Sequence, residues 1–521
     1  MLTRAFADSV PNADRNGTGP ASEPGFCTGD LREALRFAAI LLPALFVYGS
    51  VITTFTMSID NEFPDTFDQD IGLGRWAISL LKRLLLADPY AAYITPVVFV
   101  VFLSLAVYIV GRTLRLSDSM LVVFGFLSVS FPALFYQVDF NVQSDAVGIG
   151  LALGAVSAPL FLQALRADRP IARRIALFFA ACATTAISTA TYQSLFTMGP
   201  GIVLLVLTEK IARGGKPPVA RLAGPGILWL ATSFVLFRLV SHGLQSVLSV
   251  SPSTYFATQI GWTHASFPAS VSSAIRNAVT LCLGGNYYGN GIYLLATLAC
   301  IAGIVVMLRH RRPVGAVLLA AILVLPFALN ILLSFSFPPR TYVFQGFSFA
   351  YLIVFFLRFG LPARFVRPAA FAATCGALWF GTHVLASLVF ADQMSWRADI
   401  VLAEQIEQRL HSAIPDYRDG VTPVYFHGGI QRANRWKPRG SDIYGTSFFH
   451  WDGGNNLRIS NFMRANMIGE VRMAPLSRVR AIMGRIGPQP VFPATGSVFM
   501  LGGVAVVRLG IEPGTLQTLP E

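Results

Sequence analysis

Charged side chains are scarce in this 521-residue sequence: they take 13% of positions, about half the share of an ordinary soluble domain. Acid is scarcer than base, with 27 Asp and Glu against 40 Lys and Arg. Hydrophobic residues fill 54% of the chain and the mean hydropathy is +0.58. That excludes an ordinary soluble domain and predicts a polytopic membrane protein. The five cysteines, Cys27, Cys182, Cys282, Cys300 and Cys375, form no CxxC pair and sit mostly in apolar runs. They read as small buried hydrophobes, which excludes a cysteine metal site or a disulfide framework. No RNA- or DNA-binding motif accompanies the net charge of +13; basic loops of a membrane protein account for it, so nucleic acid is not an expected partner. The first thirty or so residues are polar, and the first apolar run is too long and too far in for a signal peptide, so it should remain as a span. No internal repeat of the kind that marks inverted-topology transporters is visible.

What the sequence does have is apolar runs near the roughly 20 residues that a bilayer requires. Eleven are expected to span: 37–57, 91–111, 119–136, 143–165, 174–190, 194–208, 222–242, 291–308, 313–334, 341–357 and 368–391. Alternate connections are rich in base, with Arg112 and Arg115, then Arg166, Arg169, Arg173 and Arg174, then Lys210, Arg213, Lys216 and Arg221. Arg309, Arg311 and Arg312, then Arg358, Arg364 and Arg367 continue the series. By the positive-inside rule these face the cytoplasm, together with the tail 1–36 that carries Arg32 and Arg36. A transmembrane domain is thus expected over 37–392, with outer loops at 58–90 and 243–290. An odd number of spans then places a domain at 393–521 outside.

The first outer loop carries Asp60, Glu62, Asp65, Asp68 and Asp70, then "GRWAISLLKRLLL". Its apolar residues at helical spacing, with Arg75, Lys82 and Arg83 between them, predict an amphipathic helix in the membrane interface. The loop 243–290 has room for short interfacial helices or a re-entrant piece. Beyond residue 393, "MSWRADIVLAEQIEQRLHSAI" has helical periodicity, while "TPVYFHGG" and "GSVFMLGGVAVVRLG" read as strands with glycine turns. A small α+β domain results.

Candidate chemistry gathers at the outer ends of the spans. Asp60 and Glu62, at i and i+2, share a face only if the chain is extended. Two neighbouring carboxylates at the mouth of a low-dielectric cavity are pushed to different pKa values, and one could serve as general base on an incoming hydroxyl. The plainer reading makes them solvated loop acids that help define topology, and this is the expectation for Asp65, Asp68 and Asp70. In "FYQVDFNVQSDAV", Asp139 is open to either reading, whereas Asp145 suits a cap at the start of the fourth span. Tyr192 and Gln193 share a tight turn. Arg340 follows Pro338–Pro339 at the start of a span, where the helix dipole opposes a cation. Binding a phosphate or snorkelling to headgroups would account for it. A carrier would place such groups nearer the bilayer midplane.

Several of these stretches, in order, resemble the serotype-converting O-antigen glucosyltransferases of the type II class, the Gtr II family. They are "SIDNEF…GRWAISLLKRLL", "FPALFYQVDFNVQSDAVGIGLAL", "TYQSLFTMGPGIVL", "PPRTYVFQGFSFA" and, in the C-terminal domain, "SFFHWDGGNNLRIS". The resemblance covers about 37–510. One departure is Asp60-Asn61, where many members carry two consecutive aspartates; whether Glu62 takes the second acid's part stays open.

The resemblance implies a GT-C-type glycosyltransferase in the bacterial inner (cytoplasmic) membrane, with its C-terminal domain periplasmic. Such an enzyme moves a sugar, glucose by family expectation, from a polyprenyl-phosphate donor to a surface polysaccharide such as O-antigen, or to a glycolipid. On that reading Asp60 is the general base, with Glu62 second, and the anomeric configuration inverts. Arg340 holds the donor phosphate, with Arg75 as its backup. Asp139, Trp76, Tyr192, Gln193 and Tyr342 line the substrate cavity. No metal is obligatory, although an acidic loop could hold Mg²⁺ or Mn²⁺ through oxygens. The competing readings are a transporter or flippase of polyprenyl-linked saccharide, and a non-catalytic scaffold.

Overall fold

The computed structural model describes residues 26–215, 219–255, 260–263, 266–285, 290–335, 337–439, 441 and 443–521. The chain opens with α1 (Phe26–Val47) and the short α2 (Gly49–Thr53). The first helix therefore begins well before residue 37 and breaks at Tyr48. Its cationic residues are tied down: Arg36 pairs with Glu33 and with Asp118. The first connection then carries α3 (Phe67–Gly72) and α4 (Trp76–Leu84).

Next come α5 (Ile94–Thr113), α6 (Asp118–Val129), α7 (Pro132–Val138), α8 (Ser144–Ala164), α9 (Ile171–Thr191) and α10 (Met198–Ala212). The second half of the bundle holds α11 (Val219–Val247), α12 (Phe267–Cys282), α13 (Asn290–Arg309), α14 (Pro313–Val324), α15 (Ala328–Leu333) and α16 (Gln345–Phe359). Among the described residues, eight helices are long and apolar enough to cross a membrane, or nine if α6 and α7, bent by 57°, make one span. The bend falls at Pro132, which lacks the N–H that would continue α6. Large apolar side chains point outward along these helices, among them Ile175 and Phe179 on α9, Phe234 and Leu239 on α11, and Leu298 and Ile301 on α13. A bundle with apolar residues on its outside as well as in its core suits a lipid surround.

Helix α4 forms where expected, but one of its cations, Lys82, points inward while Arg83 stays exposed. Lys82 is buried, while Leu84 and Leu85 are exposed. Of the cysteines, Cys182, Cys282 and Cys300 are buried and Cys375 is exposed on the apolar outer face; the side chain of Cys27 lies outside the described residues.

Helix α17 (Ala363–Ala413) runs for 51 residues without a break, about 77 Å at 1.5 Å per residue. It passes straight through the expected boundary near residue 392. Its first half exposes Phe371 and Trp379, whereas its second half buries Asp399, Leu402, Ala403, Ile406 and Leu410. That i, i+3, i+4 stripe packs on the C-terminal domain. There β1 (Pro423–His427), α18 (Asn456–Ala465), β2 (Arg472–Met473), α19 (Leu476–Ile482), β3 (Val498–Leu501) and β4 (Val504–Arg508) follow. The four strands form one mixed sheet in the order β2-β1-β4-β3. β1 runs parallel to both neighbours, and β3 and β4 form an antiparallel hairpin. Gly502 and Gly503 turn that hairpin with φ of 57° and 74°, the positive values that a two-residue turn of this hand requires. The strands foreseen around "TPVYFHGG" and "GSVFMLGGVAVVRLG" are these.

Candidate active site

The connection after α2 does not run extended through its two acids. Asp60 takes φ of 69°, a left-handed value that Asp tolerates better than most residues. The resulting turn is closed by Asn61 N–H donating to Ser58 O at 3.0 Å. Asp60 and Glu62 nevertheless meet on one cation, Arg458 of the C-terminal domain. Arg458 Nη2 donates to Asp60 Oδ1 at 2.9 Å and Nη1 donates to Glu62 Oε1 at 2.5 Å. Its Nε donates to Asp452 Oδ2 at 2.9 Å, and its guanidinium lies over the Phe63 ring.

Arg458 is fixed from beneath. The segment leading to it is pinned to α17: Asp399 accepts from Ser447 Oγ at 2.6 Å and from Phe448 N–H at 2.7 Å. Asp392 accepts from Gly445 N–H at 3.2 Å. Asn455 then caps α18 by accepting from the N–H groups of Leu457 and Arg458. A cation in the first turn of a helix is opposed by the dipole; here three carboxylates offset that.

Exposure differs sharply within the cluster: the side chain of Glu62 is 0% exposed and that of Asp60 is 33%. Burial pushes the Glu62 carboxyl up to about 7, with Arg458 opposing and Asp60 reinforcing the rise. Burial alone would weaken the charge on Arg458, but Asp60, Glu62 and Asp452 outweigh it and hold the guanidinium firmly protonated.

Asp139 lies directly behind this pair. Its carboxylate accepts from Ser58 Oγ at 2.7 Å, and its backbone carbonyl accepts from Asn61 Nδ2 at 3.0 Å. A cleft beside it, walled by Thr54, Phe55, Tyr93, Asn141, Val389 and Tyr444, encloses about 20 Å³, enough for a water and not for a sugar.

A second cation, Arg75, stands at the start of α4. Its Nε and Nη1 reach Gln193 Oε1 and Gln143 Oε1, each at 3.3 Å. It lies over the Tyr192 ring, 5.1 Å from the centroid, and Gln193 Nε2 donates to Leu73 O at 2.9 Å. Asp70, expected to be solvated, is instead buried and accepts from Thr66 Oγ1 at 2.9 Å. Burial pushes its carboxyl up to about 6, with Arg75 opposing and Asp60 adding to the rise. Asp65 and Asp68 are exposed, as the solvated reading has them. Asp145, expected as a cap, lies inside the first turn, with Gln143 at the cap position; it accepts from Ala146 N–H and forms a buried ion pair with Lys82 at 2.8 Å.

Arg340 sits in a single 3₁₀ turn, Pro339–Thr341, ahead of α16 rather than at its first residue, so the dipole argument does not apply to it. Its carbonyl accepts from Gln137 Nε2, and its guanidinium lies over the Phe140 ring. The 137–143 segment thus links Arg340, Asp139 and Arg75. Two expected cavity residues lie elsewhere. Trp76 packs in an apolar cluster with Ile71, Ala186 and Phe237. Tyr342 is in the bundle core, its hydroxyl donating to Phe337 O and accepting from Asn330 Nδ2, both at 2.6 Å.

Arg458, Asp452, Lys82 and Ser58 are the site residues that sequence reasoning passed over. The quoted stretch "SFFHWDGGNNLRIS" contained Arg458, but nothing local marks one arginine among forty basic residues. Among the described residues the acids of the first connection do not converge as a three-ligand metal set; Asp60 and Glu62 are engaged by Arg458. The arrangement offers a carboxylate that is one-third exposed beside a buried acid and its guanidinium, with a second guanidinium, Arg75, on the same connection. That is acid–base and anion-binding chemistry.

Residues 49–358 match the family model described as "Glucosyl transferase GtrII". No curated protein and no solved structure matches the chain.

Proposed function

The chain belongs to the GtrII glucosyl transferase family, and from that premise we propose that it is a GT-C-type enzyme of the bacterial inner membrane. It transfers glucose from a polyprenyl-phosphate carrier to a surface glycan such as O-antigen, on the periplasmic side. Asp60 is the general base: it is the member of the acidic pair that an acceptor hydroxyl can reach. Its Oδ1 is held by Arg458, and its other oxygen takes the hydroxyl proton as the acceptor oxygen attacks the anomeric carbon. The lipid phosphate leaves from the opposite face, so the configuration inverts. Glu62 is the buried partner that holds Arg458, and with it Asp60, in place.

Arg75 and Arg340 hold the donor phosphate and offset charge as it builds on the leaving group, the kind of stabilisation that is commonly the largest catalytic contribution. Arg75 is the better placed, since Gln193, Gln143 and Tyr192 already orient it. A guanidinium-held monophosphate can leave without a metal. The observation that carries the reading is the convergence of Asp60 and Glu62 on Arg458.

The test is transfer from labelled polyprenyl-phosphate glucose to host glycan by protein in nanodiscs, with donor binding measured in parallel. Asp60→Asn is expected to abolish transfer while the donor still binds. Normal transfer by Asp60→Asn would remove Asp60 as the base. Donor binding without transfer by the unmodified protein would replace the enzyme with a carrier.

A further inference from the structure

Far along α17, a second group of ionisable residues stands apart from the candidate active site. Glu407 and His411 stand one helical turn apart, and Asp419 joins them from the connection to β1. Their ligand atoms all lie within 4.8 Å of one another. His411 Nε2 is 3.1 Å from Glu407 Oε1 and 3.3 Å from Asp419 Oδ1. We propose that Glu407, His411 and Asp419 form a binding site for a divalent transition-metal cation, with water completing the coordination.

Three features favour a cation over a simple ion-pair network. First, both carboxylates approach the same ring nitrogen. A single Nε2–H can point at only one of them, whereas a shared cation serves both. Ligand atoms at about 2.0–2.2 Å from one metal stand roughly 3.0–3.5 Å apart, which is the spacing found from His411 to each carboxylate. Second, the buried Oε2 of Glu407 has no hydrogen-bond donor among the described residues, and Asp419 stands beside it. Two carboxylates are thereby held side by side with too few donors. Third, the pocket is shaped for its ligands. Gly469, at φ 102°, backs onto Glu407, and a Cβ there would come within 2.8 Å of the carboxylate carbon. The Tyr417 ring meets the imidazole edge to face, 4.9 Å between centroids, and fixes its plane.

One imidazole nitrogen with two carboxylate oxygens suits Zn²⁺ or Mn²⁺ better than Mg²⁺, which prefers an all-oxygen octahedral shell. The ligands come from the end of α17 and from the connection that leads to β1. A bound cation would therefore staple the C-terminal domain to the helix that carries it.

The experiment uses the full chain without a histidine tag, stripped with chelator, in nanodiscs. Zn²⁺ is titrated calorimetrically, and the metal retained after gel filtration is counted. The expected result is one Zn²⁺ per chain and a higher unfolding temperature with zinc. His411→Ala and Asp419→Asn should each weaken binding at least tenfold and lose the zinc-dependent rise. Both positions are about half exposed, at 50% and 45%, so both variants should match the unmodified protein's unfolding temperature in chelator. Gly469→Ala should weaken binding by crowding Glu407. The proposal is overturned if the unmodified chain retains no zinc, or if His411→Ala and Asp419→Asn bind it as the unmodified chain does.

Discussion

Arg458 and Glu62 are 396 positions apart in the chain and 2.5 Å apart in the fold. One belongs to the first turn of a helix in the C-terminal domain, the other to the first connection of the bundle. Their pairing is what joins the two halves of the site, and it sets the strongest expectations.

Replacing Arg458 by Ala leaves Glu62 buried without its counter-charge. Removing one partner of a buried pair costs about 3–5 kcal/mol, so Arg458→Ala should unfold at a clearly lower temperature. Adding Glu62→Gln should recover part of that loss, because the stranded charge is gone. Thermal unfolding of the two single variants and the double variant measures the coupling. Equal losses in all three, with no recovery, would show that the pair does not act as a unit.

The protein should be more stable at mildly acid pH than at alkaline pH, by an amount traceable to Glu62. Its carboxyl is raised to about 7 in the folded state, so the folded chain holds this proton more tightly than the unfolded chain does. The contribution is complete below the ordinary carboxylate range and is lost as pH rises through about 7. Glu62→Gln is uncharged at every pH and should flatten this part of the profile. Denaturation midpoints between about pH 5 and pH 8 for both proteins give the comparison.

Lys82 and Asp145 form a buried pair at 2.8 Å that packs α4 against α8. Lys82→Ala should cost about 3–5 kcal/mol, for the same reason as at Arg458. Lys82→Met together with Asp145→Leu should come close to the original stability, since apolar replacement of both partners leaves no stranded charge. Unfolding of the double variant at or below the level of Lys82→Ala would mean that polar contacts of Asp145, such as Thr95, matter more than the pair.

Arg75→Ala should lower kcat/KM for transfer by roughly 10²–10³, with weaker donor binding. Arg75→Lys should recover little, because an ammonium cannot reach Gln193 and Gln143 together. Arg340→Ala should have the smaller effect. The reverse order, measured with labelled lipid-linked glucose, would exchange the two roles.

How far the sequence reads by itself depends on the range of the interaction. Apolar runs, loop charge and glycine turns are local, so the helical bundle, α4, β1 and the β3–β4 hairpin could be foreseen. So could the gathering of acid at Asp60 and Glu62, because two acids near the exit of an apolar run are unusual within a few positions. The inward aim of Lys82 was not legible. Helical spacing marks two faces but does not say which one meets lipid, and in a bilayer the apolar face turns outward. Trp76 and Tyr342 show the same limit: an aromatic at the end of a span fits a cavity wall and a packed core equally well.

Sequence alone determined that this chain is built for a membrane and that acid gathers at the exit of its first helix, because hydropathy and charge are properties of single residues summed over a window. Only the tertiary structure decided which cation meets that acid. Arg458 looks like any other arginine until α17 carries its domain back over the bundle. Burial then makes the meeting matter, since a charge removed from water must find its partner wherever in the chain that partner lies.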